Sequence, residues 1–143
     1  MKIRFVLDGG RYSLYALELG DEHDYRAFRT QQMKDRRGEM ATMIQRLERL
    51  ADTGVSSKKQ NFNHLEDGIW EAKTRGGLRV TFFQHESCFF IIDSCFVKAQ
   101  RKTPKGAIER AKSRREAFLR ACESDSEGLR VVVQRGIRPL REF

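Results

Sequence analysis

Three charged residues on two neighbouring predicted strands are of the types that phosphodiester chemistry needs. Glu71 and Lys73 alternate with apolar residues on the first strand, and Arg79 lies near the start of the second. Because successive side chains point to opposite faces of a strand, a hairpin would bring all three to one face. Arg79 is the best candidate to hold phosphate, since its guanidinium is permanently charged and can bind two oxygens.

Four further cations follow the last predicted strand within eight residues: Lys98, Arg101, Lys102 and Lys105. A sheet face that presents cations predicts a site for RNA phosphates. Lys73, Lys98 and Lys102 could bind phosphate, or act as general base or acid if like charges lower a pKa. Arg101 and Lys105 are predicted to bind RNA.

RNA can be cleaved without a metal when a ribose 2′-hydroxyl attacks its own phosphate. The reaction needs a base for the hydroxyl, cations for the charge on phosphorus and a proton donor for the leaving oxygen. Glu71 is an alternative base, but a carboxylate beside Lys73 and Arg79 could equally serve only to neutralise them. His64 could donate a proton, since imidazole titrates near neutral pH, and it precedes the strand of Glu71. Because His64 lies near the edge of the predicted groove, we place it among the candidate RNA-binding residues.

Composition predicts a single domain of residues 1–143 without metal or cofactor. The three His and three Cys residues have no ligand spacing, and no Walker loop or GxGxxG motif is present. No run of 18 apolar residues occurs, and the first residues lack the apolar core of a signal peptide. These features predict a cytoplasmic protein with no membrane partner.

The formal net charge of +8 is concentrated in the last third of the chain. Residues 1–97 contain 15 basic and 14 acidic side chains, whereas residues 98–143 contain 13 basic and 6 acidic ones. Such a concentration favours a nucleic acid, or an acidic protein that covers the same surface. The alternative without a binding partner is that these basic residues form the solvent-exposed face of a helix.

The spacing of the apolar residues predicts an α+β domain. Asp8-Gly9-Gly10 predicts a tight turn with positive φ angles between two strands. Residues 21–37 and 40–53 have helical spacing, with Asp21 as the cap of the first helix and a break near Gly38. A polar connector at 55–63 precedes strands at 69–74, 78–84 and 89–97, with Trp70 in the core. Thr103 and Pro104 predict the cap and first turn of a basic helix.

We therefore expect an antiparallel sheet packed on two N-terminal helices, followed by the basic C-terminal helix. The expected order is β-β-α-α-β-β-β-α, with a possible last strand near residues 129–133. Residues 1–20 are an N-terminal hairpin addition and residues 123–143 a C-terminal extension.

The middle of the chain resembles a known family of bacterial toxins. Four short motifs between residues 40 and 112 occur in the order typical of the HigB-like, phage-derived branch of the RelE/ParE toxin superfamily. They are Leu65-x-x-Gly68-Ile69-Trp70-Glu71-Ala72-Lys73, Leu78-Arg79-Val80-x-Phe82, Phe96-Val97-Lys98 and Lys102-Thr103-Pro104 with Ile108-Glu109-Arg110-Ala111.

The resemblance implies a RelE-like fold and the activity of an mRNA interferase. It implies mRNA as substrate, generally on the ribosome, and a neighbouring antitoxin of the helix-turn-helix class as partner. Arg79 falls on the family's catalytic or phosphate-binding strand arginine. Lys73 falls where an arginine is common, and Lys98 and Lys102 match two family lysines, while Ala99 replaces another.

Two alternatives remain open on the same fold. The protein could be a toxin that poisons DNA gyrase instead of cleaving RNA. It could also be an inactive phage-derived protein that only regulates or binds nucleic acid.

Overall fold

In the part of the chain that the structure describes, the alternating and helical stretches of the sequence form seven strands and three helices. The computed structural model describes residues 2–55, 61–98, 103–124 and 132–134. The elements, in chain order, are β1 (Lys2–Asp8), β2 (Ser13–Glu18), α1 (Tyr25–Asp35), α2 (Arg37–Thr53), β3 (Phe62–Glu66), β4 (Ile69–Lys73), β5 (Leu78–His85), β6 (Phe89–Val97), α3 (Lys105–Ser124) and β7 (Val132–Gln134).

These seven described strands form one sheet of order β3-β4-β5-β6-β2-β1-β7. The strands joined by short turns pair antiparallel, but β2 pairs with β6, and β1 with β7, in parallel. The expectation of an antiparallel sheet is therefore wrong for two pairs, and the sheet is mixed. Tight turns enforce antiparallel neighbours, whereas β2 and β6 are far apart in the chain, so their direction is set by packing.

Helices cover both faces of the sheet. On one face, Met40, Met43 and Leu47 of α2 pack with Val80 and Phe82 of β5. On the other face, Ala111 and Phe118 of α3 pack in a second apolar cluster with Ile3, Ile69 and Ile91. The apolar stripe of each helix thus meets one of the two faces of the central strands, as in a layered α+β domain.

The first turn forms where it was expected but for a different reason. Neither Gly9 nor Gly10 has a positive φ angle. A Cβ at Gly9 would instead collide with the backbone of Ala51 near the end of α2. Glycine is needed here because the hairpin approaches α2 closely, not because the backbone is left-handed.

Three further expectations differ from the structure. Residues 62–63 were assigned to a connector but belong to β3, an edge strand that pairs with β4; residues 56–60 lie outside the described part of the chain. Helix α1 begins at Tyr25, after Asp24, and Asp21 does not cap it. The predicted break near Gly38 occurs at Arg36, between α1 and α2.

The N-terminal hairpin lies within the same sheet as the rest of the chain, since β2 pairs with β6. Of the C-terminal extension, the structure describes the end of α3 and β7, which pairs with β1. Trp70 is only half-buried, against the α1 and α2 side of the core. Among the described residues, no helix is both long and apolar enough to cross a membrane.

Candidate active site

The β4–β5 hairpin brings the predicted charged residues to one face. Glu71 pairs with Thr81, and Lys73 pairs with Arg79. Directly paired residues share a face of the sheet. Their strand neighbours Ala72 and Val80 belong to the core on the α1 and α2 side. Glu71, Lys73 and Arg79 therefore lie on the other face, which α3 covers.

Arg79 is buried, with 8% of its surface exposed. Its Nη1 donates to the carbonyl oxygens of Thr74 at 2.9 Å and Leu78 at 2.8 Å, and its Nε lies 3.9 Å from Glu71 Oε2. That buried Nε has no hydrogen-bond partner among the described residues. Burial lowers the pKa of Arg79, while the charges of Glu71 and Glu39 oppose this shift. Two backbone carbonyls and the Glu71 carboxylate thus fix the position of the guanidinium, while its buried Nε–H makes no hydrogen bond to a described residue.

Glu71 is also buried, and it anchors the segment just before α3. Its Oε2 accepts a hydrogen bond of 2.6 Å from the hydroxyl of Thr103. The sequence predicted Thr103 as a helix cap, but α3 begins two residues later, at Lys105, and the Thr103 hydroxyl bonds across to β4. A carboxylate so engaged by Arg79 and Thr103 is better suited to positioning than to accepting a proton from substrate.

Lys98 completes a cluster with Glu71, Lys73 and Arg79. Burial lowers the pKa of Lys98, the charges of Arg79 and Lys73 lower it further, and Glu71 opposes them. The backbone N–H of Lys98 donates to the carbonyl of Gly77 at 2.6 Å. Gly77 has a φ angle of +105°, and a Cβ there would lie 2.5 Å from the Lys98 carbonyl oxygen. The turn of the β4–β5 hairpin and Lys98 are therefore fixed to each other.

Glu39 of α2 supports the same turn and was not identified from the sequence. Its Oε1 accepts from the Thr74 hydroxyl at 2.5 Å and from the Leu78 N–H at 3.3 Å. Arg36 donates to the Gly76 carbonyl at 2.9 Å. The sequence offered only one weak signal, an acidic residue in the first turn of a helix, which usually has no role beyond the helix dipole.

The remaining candidate residues lie elsewhere. Arg101 and Lys102 fall outside the described residues. Lys105 is exposed at the start of α3. His64 is exposed on β3 and pairs with Trp70, its ring 4.9 Å from the indole. Trp70 pairs with Phe82 of the α1 and α2 side, so the structure places His64 on the face opposite the cluster.

A buried polar network holds α3 against the sheet beside this cluster. Arg114 donates to the carbonyl of Asp93 at 3.1 Å and to the Asp24 carboxylate at 3.2 Å. Asp93 is buried and accepts a hydrogen bond from the Thr81 hydroxyl. Burial raises the pKa of Asp93 to about 7, although the Thr81 hydrogen bond and the charge of Arg114 lower it. None of these contacts was predicted, since they join residues distant in sequence.

In the described part of the chain, no group of three or more His, Cys, Asp and Glu side chains is arranged to hold a metal ion. A family model, that of the phage-derived Gp49-like proteins (DUF891), matches residues 22–116. The match extends from just before α1 well into α3 and contains every residue of the cluster.

The chain belongs to the Gp49-like family. This family is phage-derived, belongs to the RelE/ParE-like toxins and is associated with toxin–antitoxin systems. It therefore implies an antitoxin as partner. A search of curated proteins found no match. The family assignment agrees with the resemblance at the level of the superfamily.

Proposed function

We propose that this protein is the toxin of a type II toxin–antitoxin pair and cleaves mRNA, in the HigB-like manner, on translating ribosomes. The observation that carries the proposal is the cluster of Arg79, Lys73 and Lys98, in which Arg79 is buried, the two lysines are half-buried, and the Nε of Arg79 has no hydrogen bond to any described residue. A buried donor without a partner is costly unless a ligand satisfies it. A phosphate oxygen is the ligand that its charge favours.

The arrangement supports attack of a ribose 2′-hydroxyl on the adjacent phosphate. Lys98, whose pKa is lowered, takes the hydroxyl proton in its neutral form. The 2′-oxygen bonds to phosphorus, the bond to the 5′-oxygen breaks, and the products are a 2′,3′-cyclic phosphate and a 5′-hydroxyl. Arg79 and Lys73 stabilise the charge that develops on the phosphate oxygens. A proton must also reach the leaving 5′-oxygen; the sequence left the acid and base roles open among Lys73, Lys98 and Lys102, and we propose Lys102, outside the described residues, as this donor.

Glu71 acts in this scheme as the group that positions Arg79. It is buried, accepts from Thr103 and lies within ion-pair distance of Arg79. These contacts favour the neutralising role over the role of general base, the two possibilities that the sequence left open. The domain of residues 1–143 is then a RelE-like toxin domain, with an antitoxin of the helix-turn-helix class as its neutralising partner.

The proposal is tested by expressing the chain and mapping cleavage of cellular mRNA. We expect growth arrest with cuts in translated reading frames, lost in Lys98→Ala and kept in Arg49→Ala, an exposed arginine on α2. Growth arrest with DNA breaks at gyrase sites and intact mRNA would favour the gyrase-poisoning alternative. No arrest, with a folded protein, would favour an inactive phage-derived protein.

A further inference from the structure

A groove lies on the face of the sheet opposite the cluster, between α1 and β1. Its volume is about 560 Å³. Val6 of β1 and Met33 of α1, both half-buried, form an apolar floor together with the buried Tyr25. The candidate active site does not use this groove.

The rim of the groove is strongly cationic. It carries five basic side chains, Arg4, Arg26, Arg29, Lys34 and Arg37, and one acidic side chain, Glu18. Arg4 forms an ion pair with Glu18. The other four form no ion pair with any residue that the structure describes, so the described rim carries a net positive charge that suits an anionic ligand.

The positions of Arg26 and Arg29 do not favour the stability of α1. Arg26 is the second residue of that helix and Arg29 the fifth, and no acidic residue occupies the first turn. The positive end of the helix dipole disfavours cations in this part of a helix. The dipole acts within the first turn, so Arg26 in particular is not placed to stabilise α1, which leaves room for a role in binding.

The floor and the rim together select the occupant. Aliphatic side chains such as Val6 and Met33 bind an apolar side chain well but leave a phosphodiester unsatisfied. The last nine residues of the chain itself contain three arginines and one glutamate, and a second copy carries a net charge of +8, so like charge opposes both. An acidic segment of another protein that inserts an apolar side chain matches both the floor and the rim.

We infer that this groove docks an acidic amphipathic segment of a partner protein, whose carboxylates meet Arg26, Arg29, Lys34 and Arg37 while an apolar side chain lies against Val6 and Met33. The inference rests on the toxin–antitoxin part of the proposed function, because the family implies such a partner. It does not depend on RNA cleavage. A segment docked here lies on the face of the sheet opposite Arg79.

Binding of three labelled probes to the full chain tests the inference. The probes are a short peptide of glutamates with leucines on one helical face, a polyglutamate peptide of the same length and a single-stranded oligouridylate. The leucine-containing peptide should bind more tightly than polyglutamate. Equal affinity of the two peptides, or no peptide binding at all, would overturn the docking site.

Charge reversal tests the rim. Arg26→Glu with Arg29→Glu should weaken binding of the leucine-containing peptide about tenfold, as expected for the loss of two exposed ion pairs. The matched control, Arg49→Glu with Arg120→Glu, changes two exposed helical arginines elsewhere and should bind nearly as the wild type. The groove variant should melt no lower than the control, since glutamate near a helix N-terminus is favourable. Equal weakening by both double variants would contradict the inference.

Thr30→Trp tests the groove itself, because Thr30 is exposed on its lining and the larger ring would fill it. This variant should weaken the leucine-containing peptide and leave polyglutamate binding unchanged. If the groove variants instead weakened oligouridylate binding, the groove would be a nucleic-acid site and the inference would be wrong. Peptide binding that survives in Arg79→Lys, with cleavage lost, would separate this inference from the proposed RNA chemistry.

Discussion

Arg79 serves both the fold and the proposed chemistry, and its substitutions must separate the two. Its side chain is 8% exposed and lies beside the buried carboxylate of Glu71. Arg79→Ala would leave that carboxylate without its charge partner, which typically costs about 3–5 kcal/mol. Loss of activity in this variant would therefore not identify a catalytic role.

Arg79→Lys is the informative change. Lysine keeps the charge near Glu71 but loses the planar fork and the Nε donor. We expect a folded protein whose RNA cleavage is slower by about 100- to 1,000-fold, the usual cost of losing one preorganised donor. Thermal melts and single-turnover cleavage of a defined RNA measure the two effects. Full cleavage by folded Arg79→Lys would exclude the fork from the reaction.

The protonation of Lys98 predicts a pH dependence. Burial and the charges of Arg79 and Lys73 lower its pKa, so more of its amine is neutral at a given pH than for an ordinary lysine. If Lys98 is the base, cleavage should rise with pH until its pKa is passed. Lys73→Ala removes one like charge and should move this rise to higher pH. The measurement is the pH–rate profile of both proteins; an unchanged profile would argue against Lys98 as the base.

At the scale of elements, the hydroxyl of Thr103 joins the segment just before α3 to Glu71 of the sheet. Thr103→Val should destabilise the protein by about 1.5–3 kcal/mol, because a buried carboxylate loses a donor. Denaturant unfolding measures the change. The control is Thr53→Val, whose hydroxyl bonds within α2 at an exposed position and should change stability little. Equal effects of the two changes would show that the Thr103 contact contributes nothing specific.

A helix or a strand could be predicted from the sequence where residues close together in the chain determine it. The alternation in β4 and β5 and the turn between them predicted that Glu71, Lys73 and Arg79 share a face, and the pairing of Lys73 with Arg79 confirms it. The edge strand β3 was missed because its polar residues do not alternate clearly with apolar ones. The role of Thr103 was missed because its partner is 32 residues away in the chain.

At the scale of the whole molecule, Asp93 should make stability depend on pH. Its folded pKa of about 7 lies above the unfolded value of about 3.9. Between these two pH values the carboxyl group of Asp93 is protonated in the native state and ionised in the unfolded state. This contribution to stability is present below about pH 4 and is lost as pH rises to about 7, at about 1.4 kcal/mol per pH unit. Asp93→Asn should remove that decline in denaturant unfolding between pH 4 and 7. A decline that persists unchanged would assign it to other groups.

The sequence alone determined the local features of this protein. Its strands, helices, hairpin faces and cationic segments follow from turns and periodicities that act over a few residues. Only the tertiary structure decided that β2 lies parallel to β6, that Arg79 and Glu71 are buried, and that four cations of α1 and α2 rim a groove on the opposite face. These features depend on contacts between segments that are far apart in the sequence. A pattern that extends over a few residues contains no information about the free energies of such contacts.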